Sequence, residues 1–314
     1  MVSIQTLRDI PGFADWVTIN PIDKGWSKDR KFYIEDRNNS RFLLRVASAR
    51  EYDRKKMDYE RVGSFASLEI PTPRPVDFGL FAGGSKVYTL LTWVDGQEAE
   101  TVLPRLAAEQ QYELGIASGD ILHRMHALPA PDGQEPWGEQ YRRKIDLIVR
   151  KYQDCGVTIP HEKSVIRFLD RNMVYLDDRP QALQHGDYHV GNMVITPKMQ
   201  IGIIDFNRSD HGDPWEEYDR FMFTWQCSIP FALGQIHGYF HNKVPDEFLR
   251  LMCLYAATNT LASIPWAVPF GVDEVKTMLG NAAKVAACYN EFEHYVPAWY
   301  VDPAGSVQEE NSKH

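Results

Sequence analysis

The sequence predicts an α+β chain in two parts: a small antiparallel sheet carrying one helix, residues 1–96, and a larger, mainly helical part, residues 97–302. Short β-rich runs separated by polar turns fill the first part, and one segment rich in helix formers interrupts them. From Pro104 onward apolar residues recur at helical spacing instead.

In order, Trp16–Ile19 and Lys31–Glu35 are expected as strands joined by the turn Lys24-Gly25-Trp26-Ser27-Lys28, and Arg41–Val46 follows a turn at Asn38-Asn39. The helix is expected over Arg50–Leu68, where Met57, Arg61, Ser64, Phe65 and Leu68 recur before Pro71 and Pro73 stop it. Val76–Leu80 and Lys86–Val94 read as strands joined by Phe81-Ala82-Gly83-Gly84. In the second part Leu114, Ala117, Ile121 and Met125 form one helical stripe, and Ile145, Ile148 and Tyr152 another. A short β insertion, Ala182–Gln184 with Met193–Thr196 and Ile201–Ile204, lies among the helices, which run on to about Glu293. The polar tail, residues 303–314, is expected to be disordered.

Composition narrows the function classes. With 44% hydrophobic and 25% charged residues, the chain is neither a disordered nor a disulfide-dense protein. Its formal net charge of -9 argues against a nucleic-acid partner, which needs clustered Lys and Arg, and suits a cationic one. Cys155, Cys227, Cys253 and Cys288 are scattered, with no CxxC pair, and read as free core thiols in a reducing compartment. Met1–Pro11 lacks the apolar stretch of a secretory signal, and apolar runs such as Leu261–Val268 are broken by Pro265 and Pro269. A cytoplasmic protein without a membrane partner is the expectation.

The informative stretch is His185-Gly186-Asp187-Tyr188-His189-Val190-Gly191-Asn192, followed by an apolar strand, a turn and Ile203-Ile204-Asp205-Phe206-Asn207. It sets a carboxylate on a loop, an amide five residues on, and a second carboxylate at the end of the next strand. Phosphoryl transfer needs those groups: one carboxylate orients or deprotonates the attacking hydroxyl, while an amide oxygen and the other carboxylate hold Mg²⁺ against the nucleotide phosphates. An Asp alone on a loop is ordinarily a turn or cap residue, but the joint spacing favours catalysis.

These segments resemble the H-G-D-x-x-x-x-N and D-F segments of the aminoglycoside phosphotransferase and choline kinase-like family, relatives of the protein kinases. The likeness extends to Gly212-Asp213-Pro214, to Leu90-Leu91-Thr92-Trp93-Val94-Asp95-Gly96 and to Leu122-His123-Arg124-Met125-His126, and spans roughly residues 15–290. It implies a bilobal protein kinase-like fold with ATP or GTP and Mg²⁺ in the cleft. By position, Asp187 is the catalytic carboxylate, Asn192 and Asp205 are the metal ligands, and His185 braces the loop. Thr92 and Val94 mark the backbone against which adenine lies, and Gly25 and Ser27 belong to the phosphate loop. The family usually has Lys in its third strand; here Leu43-Leu44-Arg45-Val46 offers Arg45 as the phosphate-contacting cation, paired with Glu60 on the following helix. Asn207 stands where an acidic residue often follows Asp-Phe.

Some neighbours have plainer readings. Asp213 before Pro214 is an N-cap, His123 and His126 satisfy a helix end, and Phe221-Met222-Phe223 is core. By the same resemblance, Asp210, Asp213, Glu216, Glu217, Asp219, Glu291 and Glu293 lie where the family forms its substrate wall, and their charge favours an amino-bearing, cationic hydroxyl compound of the aminoglycoside type, as in antibiotic resistance. Choline, homoserine or methylthioribose kinases share the same core, and a non-catalytic pseudokinase is the alternative from another class. The sequence leaves the oligomeric state open.

Overall fold

Alternation of inward and outward side chains sets the first sheet. In the computed structural model, which describes residues 4–25 and 27–303, five strands run antiparallel in the order β1-β2-β3-β5-β4: β1 (Trp16–Ile22), β2 (Arg30–Asp36), β3 (Arg41–Ser48), β4 (Pro75–Phe81) and β5 (Lys86–Thr92). Phe32, Ile34, Leu44, Val46, Tyr88 and Leu90 face one buried side, which Leu7 and Ile10 close. Pro21 is tolerated because β1 is an edge strand, where a missing amide costs no ladder bond. Trp26 and residues 304–314, including nearly all of the expected tail, lie outside the described residues.

One helix follows β3. α1 (Tyr52–Phe65) is flanked by single 3₁₀ turns, and its buried residues are Lys55, Val62 and Phe65. Met57, expected in the helical stripe, is 48% exposed, while Lys55 turns inward because a buried carboxylate meets it. An amphipathic reading alone puts a lysine outside.

By its contacts the chain divides into two compact units, the first made of the described residues up to Gln97 together with Met193–Ser209. That second piece is the hairpin β8 (Met193–Ile195) and β9 (Ile201–Ile203), joined to the first unit by Ile203 N donating to the Pro71 carbonyl and by Phe206 against Phe65. The single β insertion expected inside the helical part therefore separates. β7 (Ala182–Gln184) pairs with β10 (Asp210–Gly212) within the second unit. The two-residue strand β6 (Gln97–Glu98) stands at the division.

The second unit is helical: α2 (Ala99–Val102), α3 (Ala108–Met125), α4 (Trp137–Asp154), α5 (Glu162–Asn172), α6 (Met222–Cys227), α7 (Ile229–Tyr239), α8 (Asp246–Ala267) and α9 (Val272–Cys288). One core of this unit joins Tyr141 and Ile145 of α4, Val165 and Leu169 of α5, and Leu251, Tyr255 and Leu261 of α8. The stretch Asp246–Phe270 is apolar and long enough to pass for a membrane span, contrary to the short runs expected, yet most of it is buried inside this unit. Helices α3 and α7 meet backbone to backbone. A Cβ on Gly115 or Gly119 would lie 2.2 Å from the carbonyl oxygens of Phe231 or Gln235, and one on Gly234 or Gly238 equally close to Tyr112 or Ile116. The face so formed is Leu114, Gly115, Ser118, Gly119, Ile121, Leu122 and Met125; Ala117, expected in the stripe, is exposed.

Candidate active site

The second unit carries the His185–Asn192 loop, and each of its ends is fixed by a side chain. His185 is fully buried, and its Nδ1 accepts from the Asp187 amide at 3.2 Å, the bracing role the resemblance implies. Gly186 takes a left-handed φ of 81°, a conformation that favours glycine. Tyr188 is buried and donates to the Ser118 carbonyl of α3 at 2.8 Å. Asn192 Nδ2 donates to the Asp187 carbonyl at 2.9 Å, closing the loop on itself. Its Oδ1 is then the half of the amide that can take a cation.

The Asp187 carboxylate is part-exposed, at 19%, and is gripped from behind. Arg220 Nη1 donates to Asp187 Oδ1 at 3.1 Å and to the Gly186 carbonyl at 3.2 Å, while His189 Nε2 stands 3.5 Å from the same oxygen. Glu217, buried beneath, accepts from the amides of His185 at 2.9 Å and Gly186 at 2.6 Å. Burial pushes the Glu217 carboxyl up to about 7 and Asp219 up to about 6. His126, 3.9 Å from Glu217, adds no charge, because burial lowers it to about 3. Nothing in the sequence marks Arg220 and Glu217 as loop supports; both lie in the 3₁₀ segment Pro214–Arg220, whose helical spacing carries no sign of where it docks.

The first unit carries the other half of the expected residues. Asp205 follows β9 in a left-handed conformation, φ 66°, uncommon for a residue with a side chain and a sign of a constrained site. Its Oδ1 accepts from Arg45 Nη1 at 3.1 Å and from Asn207 Nδ2, and its Oδ2 has no protein partner among the described residues. Asn207, which stands in an acidic position of the family pattern, is thus a direct partner of Asp205. Asn192 and Asp205 offer oxygen donors, which suit a hard cation such as Mg²⁺. Among the described residues no group of three or more His, Cys, Asp or Glu side chains gathers for a metal.

Arg45 sits in β3 as expected, but among the described residues its ion pairs are with Asp29 and Asp205 and not, as expected, with Glu60. Glu60 is exposed on α1 and lies 3.7 Å from Lys56, one turn earlier. Arg45 instead meets Asp29, a turn residue, through Nε at 3.0 Å and Nη2 at 2.9 Å, and Lys55 Nζ reaches the same Asp29 oxygen at 2.7 Å. Burial opposes the Asp29 charge, but Arg45 and Lys55 together hold the carboxyl below its usual range. The helix acid nearest in character is Asp58, whose Oδ2 is buried without a partner and whose carboxyl is raised by burial.

Ser27 Oγ accepts from Arg45 Nη2 at 3.1 Å and from the Asp29 amide at 3.1 Å. Gly25 has φ 98°, and a Cβ there would lie 2.9 Å from Lys31 Nζ. Thr92 is tied to Arg74 through both its amide and its hydroxyl, and Trp93 donates to the Arg41 carbonyl. Val94 follows with no acceptor on its amide among the described residues.

The acidic wall expected of the second unit is largely consumed internally. Asp213 is bound by both edges of Arg179 at 2.8 and 3.0 Å and caps Trp215; Glu216 pairs with Lys144, Asp219 with Arg220, Glu291 with His161 and Glu293 with Arg167. The N-cap reading of Asp213 holds. All four cysteines are free.

Comparison with known proteins agrees with this architecture. Residues 18–249 match the profile of the phosphotransferase enzyme family. A thermostable mutant of aminoglycoside phosphotransferase APH(4)-Ia, in ternary complex with ADP and hygromycin B, is 20% identical with a TM-score of 0.66, covering 90% of this chain and 98% of that one. The gentamicin–APH(2")-IIa complex is 14% identical, TM-score 0.66, over 93% of this chain and 99% of that one. The GDP complex of aminoglycoside 2'-phosphotransferase-IIIa is 15% identical with a TM-score of 0.65, covering 90% and 96%. Among curated proteins, Acyl-CoA dehydrogenase family member 11 of Homo sapiens is 22% identical over 62% of this chain and 26% of its own length. The Gallus gallus protein of that name is 23% identical over 81% and 35%. The chain therefore spans about a quarter to a third of those relatives. An antiparallel-sheet N-terminal region followed by a helical region is the kinase-like fold of the aminoglycoside phosphotransferases, and the chain belongs to the phosphotransferase enzyme family.

Proposed function

We propose that this chain is a Mg²⁺-dependent small-molecule kinase, which moves the terminal phosphoryl group of ATP or GTP to an alcohol. The observation that carries the reading is the Asp187 carboxylate, part-exposed on a loop that His185, Asn192, Arg220 and Glu217 hold in place. A carboxylate so held accepts a hydrogen bond from the acceptor hydroxyl and takes its proton as the oxygen–phosphorus bond forms. Asn192 and Asp205 are the proposed metal ligands, and Mg²⁺ would neutralise charge on the phosphates. Arg45 supplies a planar cation to those phosphates, with Ser27 and Gly25 shaping the turn beside it. The Val94 amide is the donor proposed for the purine edge, beside Thr92. Glu60, exposed and paired with Lys56 on its own helix, is not assigned a part.

For the acceptor, an amino-bearing hydroxyl compound remains the first reading, supported by the net charge of -9 and by hygromycin B and gentamicin in the similar structures. It no longer draws on a free acidic wall. A second reading, an acceptor of the acyl-CoA class, takes its cue from the curated relatives, the Acyl-CoA dehydrogenase family member 11 proteins, of which this chain spans about a quarter to a third. A coupled nucleotide-consumption assay with ATP and GTP tests both, against aminoglycosides, choline, homoserine, methylthioribose and hydroxyacyl thioesters at two ionic strengths. Acceptor-dependent, Mg²⁺-dependent turnover is expected. Nucleotide binding without turnover on any acceptor would instead favour a pseudokinase.

A further inference from the structure

Within the first unit, the strand cation is not held by the helix that follows it. Its partner is a carboxylate on the β1–β2 turn. Asp29 Oδ2 accepts from Arg45 Nε at 3.0 Å, lies 2.9 Å from Arg45 Nη2 and accepts from Lys55 Nζ at 2.7 Å. All three side chains are at most 7% exposed. The turn adds a second anchor, since Ser27 Oγ accepts from Arg45 Nη2 and from the Asp29 amide. One edge of the guanidinium is thus held wholly by the turn, and the Nη1 edge is directed to Asp205.

We propose that Asp29 is a positioning residue for nucleotide binding, which fixes the plane of the Arg45 guanidinium from the turn in place of an acid on α1. The proposal rests on the phosphotransferase reading above. A planar fork contacts phosphate well only in a fixed orientation, so loosening its far edge weakens binding even though the charge remains. Because Ser27 and Asp29 belong to the same turn, the candidate phosphate loop and the strand cation shift as one body. Lys55 brings α1 into the same cluster through the shared oxygen. The plainer alternative is that Asp29 only neutralises a buried Lys55.

Calorimetric titration of MgADP into folded variants separates these. Asp29→Asn together with Lys55→Met removes one charge of each sign, so burial stays balanced while the anchor of Arg45 loses its charge. The expected result is a Kd about tenfold or more above wild type in that double variant, the worth of a charged hydrogen bond. Asp29→Glu should recover most of the loss, and Lys55→Met alone should bind close to wild type. Wild-type affinity in the double variant, or an equal loss from Lys55→Met alone, overturns the proposal while the phosphotransferase reading stands. A wild-type chain that binds no MgADP removes that reading and the proposal with it.

Discussion

Arg220 donates to the carboxylate of Asp187 at 3.1 Å, and the same Nη1 reaches the Gly186 carbonyl at 3.2 Å, so one guanidinium sets both the acid and the loop that carries it. Asp219 beside it gives that guanidinium its own counter-ion. Arg220→Ala is expected to lower kcat by roughly tenfold to a hundredfold, with the nucleotide Kd little changed. Arg220→Lys keeps the charge and loses the second contact, and should fall between. Equal loss in kcat and in nucleotide affinity would place Arg220 in general folding instead.

The metal assignment predicts an order. Asp205→Ala should weaken Mg²⁺-dependent nucleotide binding more than Asn192→Ala, since a carboxylate is the stronger ligand for a hard cation. Titrating MgADP and metal-free ADP into both variants gives the comparison. Small, equal effects would argue against both ligands.

Glu217 makes stability depend on pH. Burial raises its carboxyl from the ordinary 4.5 to about 7, so the folded chain keeps a proton that the unfolded chain has released. This contribution is complete below about pH 4.5 and is lost as pH rises through about 7. The two loop amides and the neighbouring His185 favour the charged form, and Glu216 opposes it. Melting temperatures between pH 5 and 8 should therefore fall more steeply for wild type than for Glu217→Gln; parallel curves would count against the assignment.

The crossing of α3 and α7 gives a prediction about folding alone. Gly119→Ala drives a methyl to 2.2 Å from the Gln235 carbonyl and 2.5 Å from the Tyr239 amide, backbone atoms that move only if the helices separate. A loss of about 1–3 kcal/mol or more is expected in denaturant unfolding. Gly280→Ala, where a Cβ would meet nothing within 4 Å, serves as the control and should not destabilise.

Strands and loops were legible because their signals are local. The alternation in Phe32-Tyr33-Ile34 and Leu44-Arg45-Val46 and the spacing from Asp187 to Asn192 and Asp205 each lie within one stretch of sequence. What escaped depends on partners far along the chain. Lys55 turns inward because Asp29, 26 residues earlier, meets it there, and Arg45 meets the same Asp29, a turn residue that strand and helix patterns do not mark as a partner. Gly115 and Gly119, with Gly234 and Gly238, repeat at four-residue spacing, a close-approach signal that a search for apolar stripes passes over. The acidic residues after Asp205 read as one charged surface, and only the fold shows Arg179, Lys144 and Arg220 paired with them.

The central claim is that Asp187 orients and deprotonates the acceptor hydroxyl, and Asp187→Asn tests it most directly because the change removes the base without altering side-chain volume. With the best acceptor from the screen, phosphoryl transfer and MgADP affinity are measured together on wild type and variant. The account predicts that turnover falls by about a thousandfold or more while affinity and melting temperature stay near wild type. Near wild-type turnover in Asp187→Asn would contradict it.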